Sequence, residues 1–251
     1  MEKECLINRV PHIIGLYWII KIASTTLGET GADMFSFTFN FGYLQTIVIF
    51  LSLFALALGI KLSMKGYHPT MYWITFTTSA IAGTAISDFI DRTLGFGYLI
   101  GSLLLFTLLV ITLLLWYKKE KNINVENITT FHAEFYYWIA FLFANTLGTA
   151  LGDYVADDLA LGFKQSSIII GGVLVVLGLA HYFTKISWLI LFWIAFVLTR
   201  PFGASFGDLL TKPLEKGGLD LGTITASSIF AIILIIGIYK ETQLEKERVI
   251  E

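Results

Sequence analysis

Polar positions interrupt the apolar sequence at regular intervals and cut it into eight runs of about 20 residues, each long enough to span a bilayer as a helix. The runs are predicted over residues 12–35, 42–62, 69–91, 96–117, 132–155, 164–184, 187–211 and 222–239. They come in pairs. The first of each pair ends in a motif, Gly-x-x-x-x-Asp: Gly28 to Asp33, Gly83 to Asp88, Gly148 to Asp153 and Gly203 to Asp208. The motif glycines lie 55, 65 and 55 residues apart. Ten residues before each stands a tryptophan (Trp18, Trp73, Trp138 and Trp193), preceded by Tyr17, Tyr72, Tyr137 and Phe192. A further glycine follows the first three aspartates by nine residues, at Gly42, Gly97 and Gly162. The fourth repeat reaches Gly222 after fourteen, which marks a five-residue insertion. Such self-similarity is the mark of internal duplication.

The pattern predicts an all-α polytopic membrane protein. Its eight transmembrane helices form four parallel two-helix repeats, because an even number of spans per repeat keeps every repeat in one orientation. The equal spacing within each half suggests pseudo-two-fold halves, residues 1–117 and 132–240. A polar cytoplasmic linker (118–131) joins them, and a charged, frayed tail (241–251) follows.

Composition agrees. Of 251 residues, 56% are hydrophobic and only 14% charged, and the mean hydropathy is +0.75, which is outside the soluble range. The net charge of −2 gives no reason to expect a nucleic-acid partner. The single cysteine, Cys5, excludes an intrachain disulfide and argues against a thiolate metal site. No nucleophile–base pair, histidine ladder or cofactor motif points to an enzyme. His12, His68 and His132 read as interfacial residues, and no resident cofactor is expected.

Lys and Arg are distributed unevenly. Eleven, from Lys3 and Arg9 to Lys246 and Arg248, fall on one side, and Arg92, Lys164, Lys212 and Lys216 fall on the other. The positive-inside rule then puts both termini in the cytoplasm of a multi-pass plasma (inner) membrane protein. The tryptophans would form a cytoplasmic-side aromatic belt. The aspartates, fifteen residues later, would share one level about 22 Å further on, in the outer part of the membrane.

The acids are the candidate chemistry. Glu29, Asp33, Asp88, Asp153 and Asp208 lie inside apolar helices, with Asp157 one turn beyond Asp153. Five unpaired charges at membrane depth would cost on the order of 12–17 kcal/mol, as much as a whole domain's stability. They must be paired, protonated, hydrated or bound to a cation. Candidate charge partners are Arg92 and Lys212, each one helical turn after a motif aspartate, with Lys21 and Arg200 inside motif helices. Lys21 is placed to meet Glu29. Glu29, Asp33 and Asp153 are the candidate metal ligands, hard oxygen donors suited to manganese, magnesium, calcium or sodium. Gly28, Gly83, Gly148 and Gly203 would let helices approach closely.

The unit TTLGETGAD, with FGY at 41–43, resembles that of a bacterial "repeat of unknown function" family of membrane-anchored proteins built from four such repeats. The resemblance covers nearly the whole chain and implies the repeat architecture and a bacterial inner-membrane setting. Glu29-Thr30-Gly31-Ala32-Asp33 is also loosely similar to the E-x-G-D motif of calcium/manganese–proton antiporters. It has one inserted residue and lacks the basic residue that follows.

The expected function is transport of a small cation across the lipid bilayer, with a divalent metal such as manganese as substrate and protons as a coupling ion. The alternative is a non-transporting scaffold or sensor whose buried ion pairs fix helix register. Helices broken at the motif glycines favour transport, whereas unbroken helices with closed ion pairs favour the scaffold. The sequence leaves homo-oligomerisation open.

Overall fold

The computed structural model describes residues 8–123 and 128–250, apart from the side chains of Trp188, Leu189, Trp193, Val249 and Ile250. Cys5 and Lys3, the middle of the polar linker and the Trp193 side chain lie outside the described residues. Eight long helices form: α1 (Gly15–Asp33), α2 (Gly42–Ser63), α3 (Pro69–Asp88), α4 (Gly97–Glu120), α5 (Phe131–Asp153), α6 (Gly162–Phe183), α7 (Trp188–Thr211) and α8 (Thr223–Ile250). Their bounds follow the apolar runs closely, except that α8 runs on to Ile250. The expected frayed tail is therefore helical, and Glu241 within it is buried.

The motif helices α1, α3, α5 and α7 form a closed inner ring in which each packs on the next and α7 returns to α1. The other four lie outside it. Each covers the motif helix of the following repeat: α2 packs on α3, α4 on α5, α6 on α7, and α8 on α1. This division explains the polarity of the helices. Among the described residues six helices (α2, α4, α5, α6, α7 and α8) are long and apolar enough to cross a membrane. In α1 the Thr, Ser and acidic side chains, and in α3 all of them but Thr70 and Thr78, are enclosed by neighbouring helices rather than turned outwards, so these two need not be apolar all round. The chain is thus an all-helical membrane protein with an internal repeat.

The first three motif helices do not stop at their aspartates. Each continues for five residues as a π turn, over Met34–Thr38, Phe89–Thr93 and Tyr154–Asp158. Single π turns of this kind are rare and concentrate at functional sites. The connectors then repeat one backbone shape. A left-handed residue (Asn40, Gly95, Ala160 or Asp220) precedes, by two, a glycine with φ of +69° to +74°: Gly42, Gly97, Gly162 or Gly222. Glycine takes a positive φ at no steric cost, which favours glycine at this second position in every repeat. The insertion in repeat four folds back on the end of α7 (Leu219 N–H to Leu209 O, 2.7 Å; Leu221 N–H to Leu210 O, 2.9 Å) and delivers the chain to the same turn.

Candidate functional site

The motif glycines set the width of the ring. A Cβ on Gly28 would lie 2.7 Å from Ala80 Cβ, one on Gly83 3.2 Å from Asn145 Cβ, and one on Gly203 2.6 Å from Thr25 Oγ1. One on Gly148 would overlap the Arg200 side chain. Ala80, Asn145, Arg200 and Thr25 all stand three residues before the motif glycine of the next helix. The contact therefore recurs four times around the ring, and it is a helix–helix approach that only glycine permits.

Side chains one turn apart then stack in layers along the ring axis. Lys21, Phe76, Phe141 and Phe196 form one layer, with Lys21 Nζ 3.0 Å from the Phe196 ring centre and Phe141 packed on both Phe76 and Phe196. In the next, Arg200 crosses the axis. Its guanidinium donates to the carbonyls of Asn145 (3.1 Å), Thr25 (3.1 Å) and Ala80 (3.3 Å), one from each of the other three motif helices. It also donates to the hydroxyls of Thr149 (2.7 Å) and Thr84. Thr84 in turn donates to Glu29 Oε2 (3.2 Å), which lies 3.7 Å from Arg200 Nη1. Glu29 is therefore paired with Arg200, not with Lys21 as expected. Lys21 Nζ instead donates to the Phe196 carbonyl at 3.0 Å.

Two turns beyond Arg200, and one beyond Glu29, lie the four motif aspartates, each no more than 3% exposed. They are joined in pairs. Arg92 reaches its own Asp88 (Nε, 3.3 Å) and Asp153 of the next repeat (Nη2, 3.2 Å). Lys212 likewise reaches its own Asp208 (3.0 Å) and Asp33 of the first repeat (2.6 Å). The cation of each even repeat thus bridges to the following odd repeat, a two-fold arrangement laid over a four-membered ring. Asp157 accepts from Tyr98 (3.1 Å), which accepts from Arg92 (3.1 Å). This end of the axis meets the surface, since the Arg92 side chain is 32% and the Lys212 side chain 18% exposed.

Counted as ionised, Glu29, Asp33, Asp88, Asp153 and Asp208 bring five negative charges against the three positive ones of Arg92, Arg200 and Lys212. Two negative charges remain, worth about 5–7 kcal/mol if left unneutralised at membrane depth. The network can therefore take up protons or a small cation. It does not present a ready ligand set. Among the described residues no group of three or more His, Cys, Asp or Glu side chains is arranged to hold a metal ion, and Glu29, Asp33 and Asp153 each face a different basic side chain.

The motif helices run unbroken through their glycines, and the π turns come only after the aspartates. Two tryptophans depart from expectation. Trp73 and Trp138 are buried core residues, not belt anchors, because they turn inward against Tyr72. Three buried acids stand outside the candidate set: Asp91, which accepts from Ser87 (3.1 Å), Glu134 and Glu241. Glu134 binds Lys61 (2.6 Å) and Arg9 (2.5 Å). Glu241 accepts from Trp73 Nε1 (2.5 Å) and Tyr67 (2.7 Å), and burial together with this carboxylate pushes the Tyr67 phenol well above its usual range. None of the three lies in the repeated Gly-x-x-x-x-Asp motif.

The sequence model of a family described as Repeat of Unknown Function (DUF347) matches this chain four times, over residues 16–67, 71–122, 136–187 and 191–240. Each match spans one inner helix and the outer helix after it. No curated protein and no solved structure matches the chain.

Proposed function

The chain belongs to the Repeat of Unknown Function family, and on the geometry of its central site we propose that it is an integral membrane transporter for a small cation, working through the carboxylates on the ring axis. One observation carries the reading: five buried carboxylates share three cations on an axis that meets the surface at one end. In this reading all eight helices cross a cell inner membrane, the four repeats run parallel, and both termini are cytoplasmic. The aspartate layer faces outward, while Arg200 and the phenylalanine layer close the inner half of the path.

A proton is the substrate or coupling ion that best fits this arrangement. Proton uptake neutralises the surplus charge without displacing Arg92 or Lys212, whereas a divalent metal such as manganese must displace one of them. Transport requires Arg200 to leave the axis, and its pairing with Glu29 couples that movement to the charge state of the acids.

The test is flux into proteoliposomes, read with a pH-sensitive dye and with a panel of manganese, magnesium, calcium and sodium. Asp33→Asn and Glu29→Gln should each abolish a selective flux in protein that remains folded. Undiminished flux in both variants would overturn the reading. A second reading, a non-transporting scaffold or sensor, is favoured by the unbroken motif helices and by the guanidinium closing the axis. It predicts no flux for any ion and loss of folding on the same substitutions.

A further inference from the structure

A cavity of about 260 Å³ lies between α4, α5 and α7, just below the size range of small-ligand sites. Its walls are apolar: Leu109, Leu113, Ala144 and Val197 among others. Val197, 56% exposed, stands at its rim on the outer surface of the helix bundle. Tyr137, Asn145, Lys21 and Trp116 break this lining. Tyr137 pairs with the Tyr72 hydroxyl (2.6 Å) and Asn145 donates to Ser79 (3.0 Å), which leaves Lys21 and Trp116, only 2% and 1% exposed.

Both are donors with capacity to spare. Lys21 Nζ donates one hydrogen bond, to the Phe196 carbonyl, and otherwise meets aromatic rings. Among the described residues no carboxylate lies within 4.0 Å of it, while Glu29, Asp33, Asp88, Asp153, Asp208 and Glu134 are held by Arg200, Arg92, Lys212, Lys61 and Arg9. Trp116 Nε1 is buried without an acceptor. A desolvated ammonium without a counter-ion is unfavourable, so the site lacks an acceptor, and an anionic one above all. The cavity opens where acyl chains would lie, and its lining suits an acyl chain. Arg200 also borders it, but its donors are taken by backbone and threonine oxygens.

We propose that this cavity binds a single-chain fatty acid drawn from the bilayer, its carboxylate on Lys21 and its chain against α4 and α7. The site is separate from the aspartate layer and needs no transport activity. Its occupant sits one helical turn from the guanidinium that closes the axis.

The probe is 9,10-dibromostearic acid, whose bromines quench tryptophan fluorescence on contact, titrated into the purified protein in detergent. Saturable quenching is expected with the acid, and only unsaturable partitioning with its methyl ester. Lys21→Met should weaken binding at least about tenfold, the effect of removing one charge-assisted hydrogen bond, and Lys21→Arg should retain it. Ala144→Phe, which fills the cavity and leaves the lysine in place, should weaken it similarly. Should Lys21→Met fail to fold, the acid–ester comparison and Ala144→Phe decide. Equal behaviour of acid and ester, or wild-type binding by both folded variants, would overturn the proposal.

Discussion

Replacing Arg200 with methionine removes a side chain that ties all four motif helices together at the axis. Three backbone carbonyls and two threonine hydroxyls lose a donor, and Glu29, 3% exposed, loses its counter-ion. Removing one partner of a buried ion pair costs about 3–5 kcal/mol. For a chain of this length each kcal/mol moves the melting temperature by about 2–4 °C, so a fall of about 6–20 °C is expected. Much of that loss is the orphaned carboxylate. Adding Glu29→Gln removes the charge and leaves an amide that still accepts from Thr84. The double variant should therefore regain about 1–3 kcal/mol, the usual coupling between contacting residues, or about 2–12 °C. Arg200→Lys should fall between, because one ammonium cannot reach three carbonyls on three helices. The assay is thermal unfolding followed by tryptophan fluorescence at fixed detergent, lipid and pH. A double variant no more stable than Arg200→Met alone would refute the pairing of Glu29 with Arg200 as a source of stability.

Two further outcomes follow from the packing. Gly203→Ala places a methyl 2.9 Å from the Thr25 carbonyl carbon and should destabilise by about 1–3 kcal/mol. Gly59→Ala meets nothing within 4 Å and should stabilise α2 by about 0.5–1 kcal/mol; equal effects in thermal unfolding would refute the close approach. Glu134→Gln leaves Lys61 buried without its acid and should cost about 3 kcal/mol. Adding Lys61→Met should restore part of the loss, and failure to do so would show that Lys61 draws nothing from the pair.

The eight helices were legible because polar positions cut the apolar sequence into runs of helical length, and duplication repeats the signal four times. The five motif acids and Arg92, Lys212 and Arg200 were legible for the related reason that charge is rare in such sequence. Which cation meets which acid was not, because it depends on neighbours brought together by ring closure: Lys212 reaches Asp33 across 179 residues. Local spacing suggested Lys21 with Glu29, two turns apart on one helix, whereas the axis is crowded by residues from all four helices and Lys21 ends one layer away among phenylalanines. The tryptophans misled because an aromatic at the end of an apolar run looks the same whether it turns to the interface or inward. The π turns leave no mark in the sequence, since they differ from an α-helix only in which carbonyl each N–H selects.

The sheltering of each inner helix by the outer helix of the preceding repeat, with α8 covering α1, bears on how such a chain could arise. A repeat on its own would leave its inner helix bare and its outer helix without a seat, so it could not be an independent folding unit. Four identical copies could satisfy one another by closing this same ring as a homotetramer. That ancestor, however, would be bound by its symmetry: whatever stood at one position beside the axis would stand there four times. Four guanidiniums would repel one another in a space that holds one. Fusion into a single chain lifts this restriction, because Thr25, Ala80, Asn145 and Arg200 could then diverge at formerly equivalent positions. A lone positive charge at the centre of the ring is a property that only the fused, asymmetric chain can have.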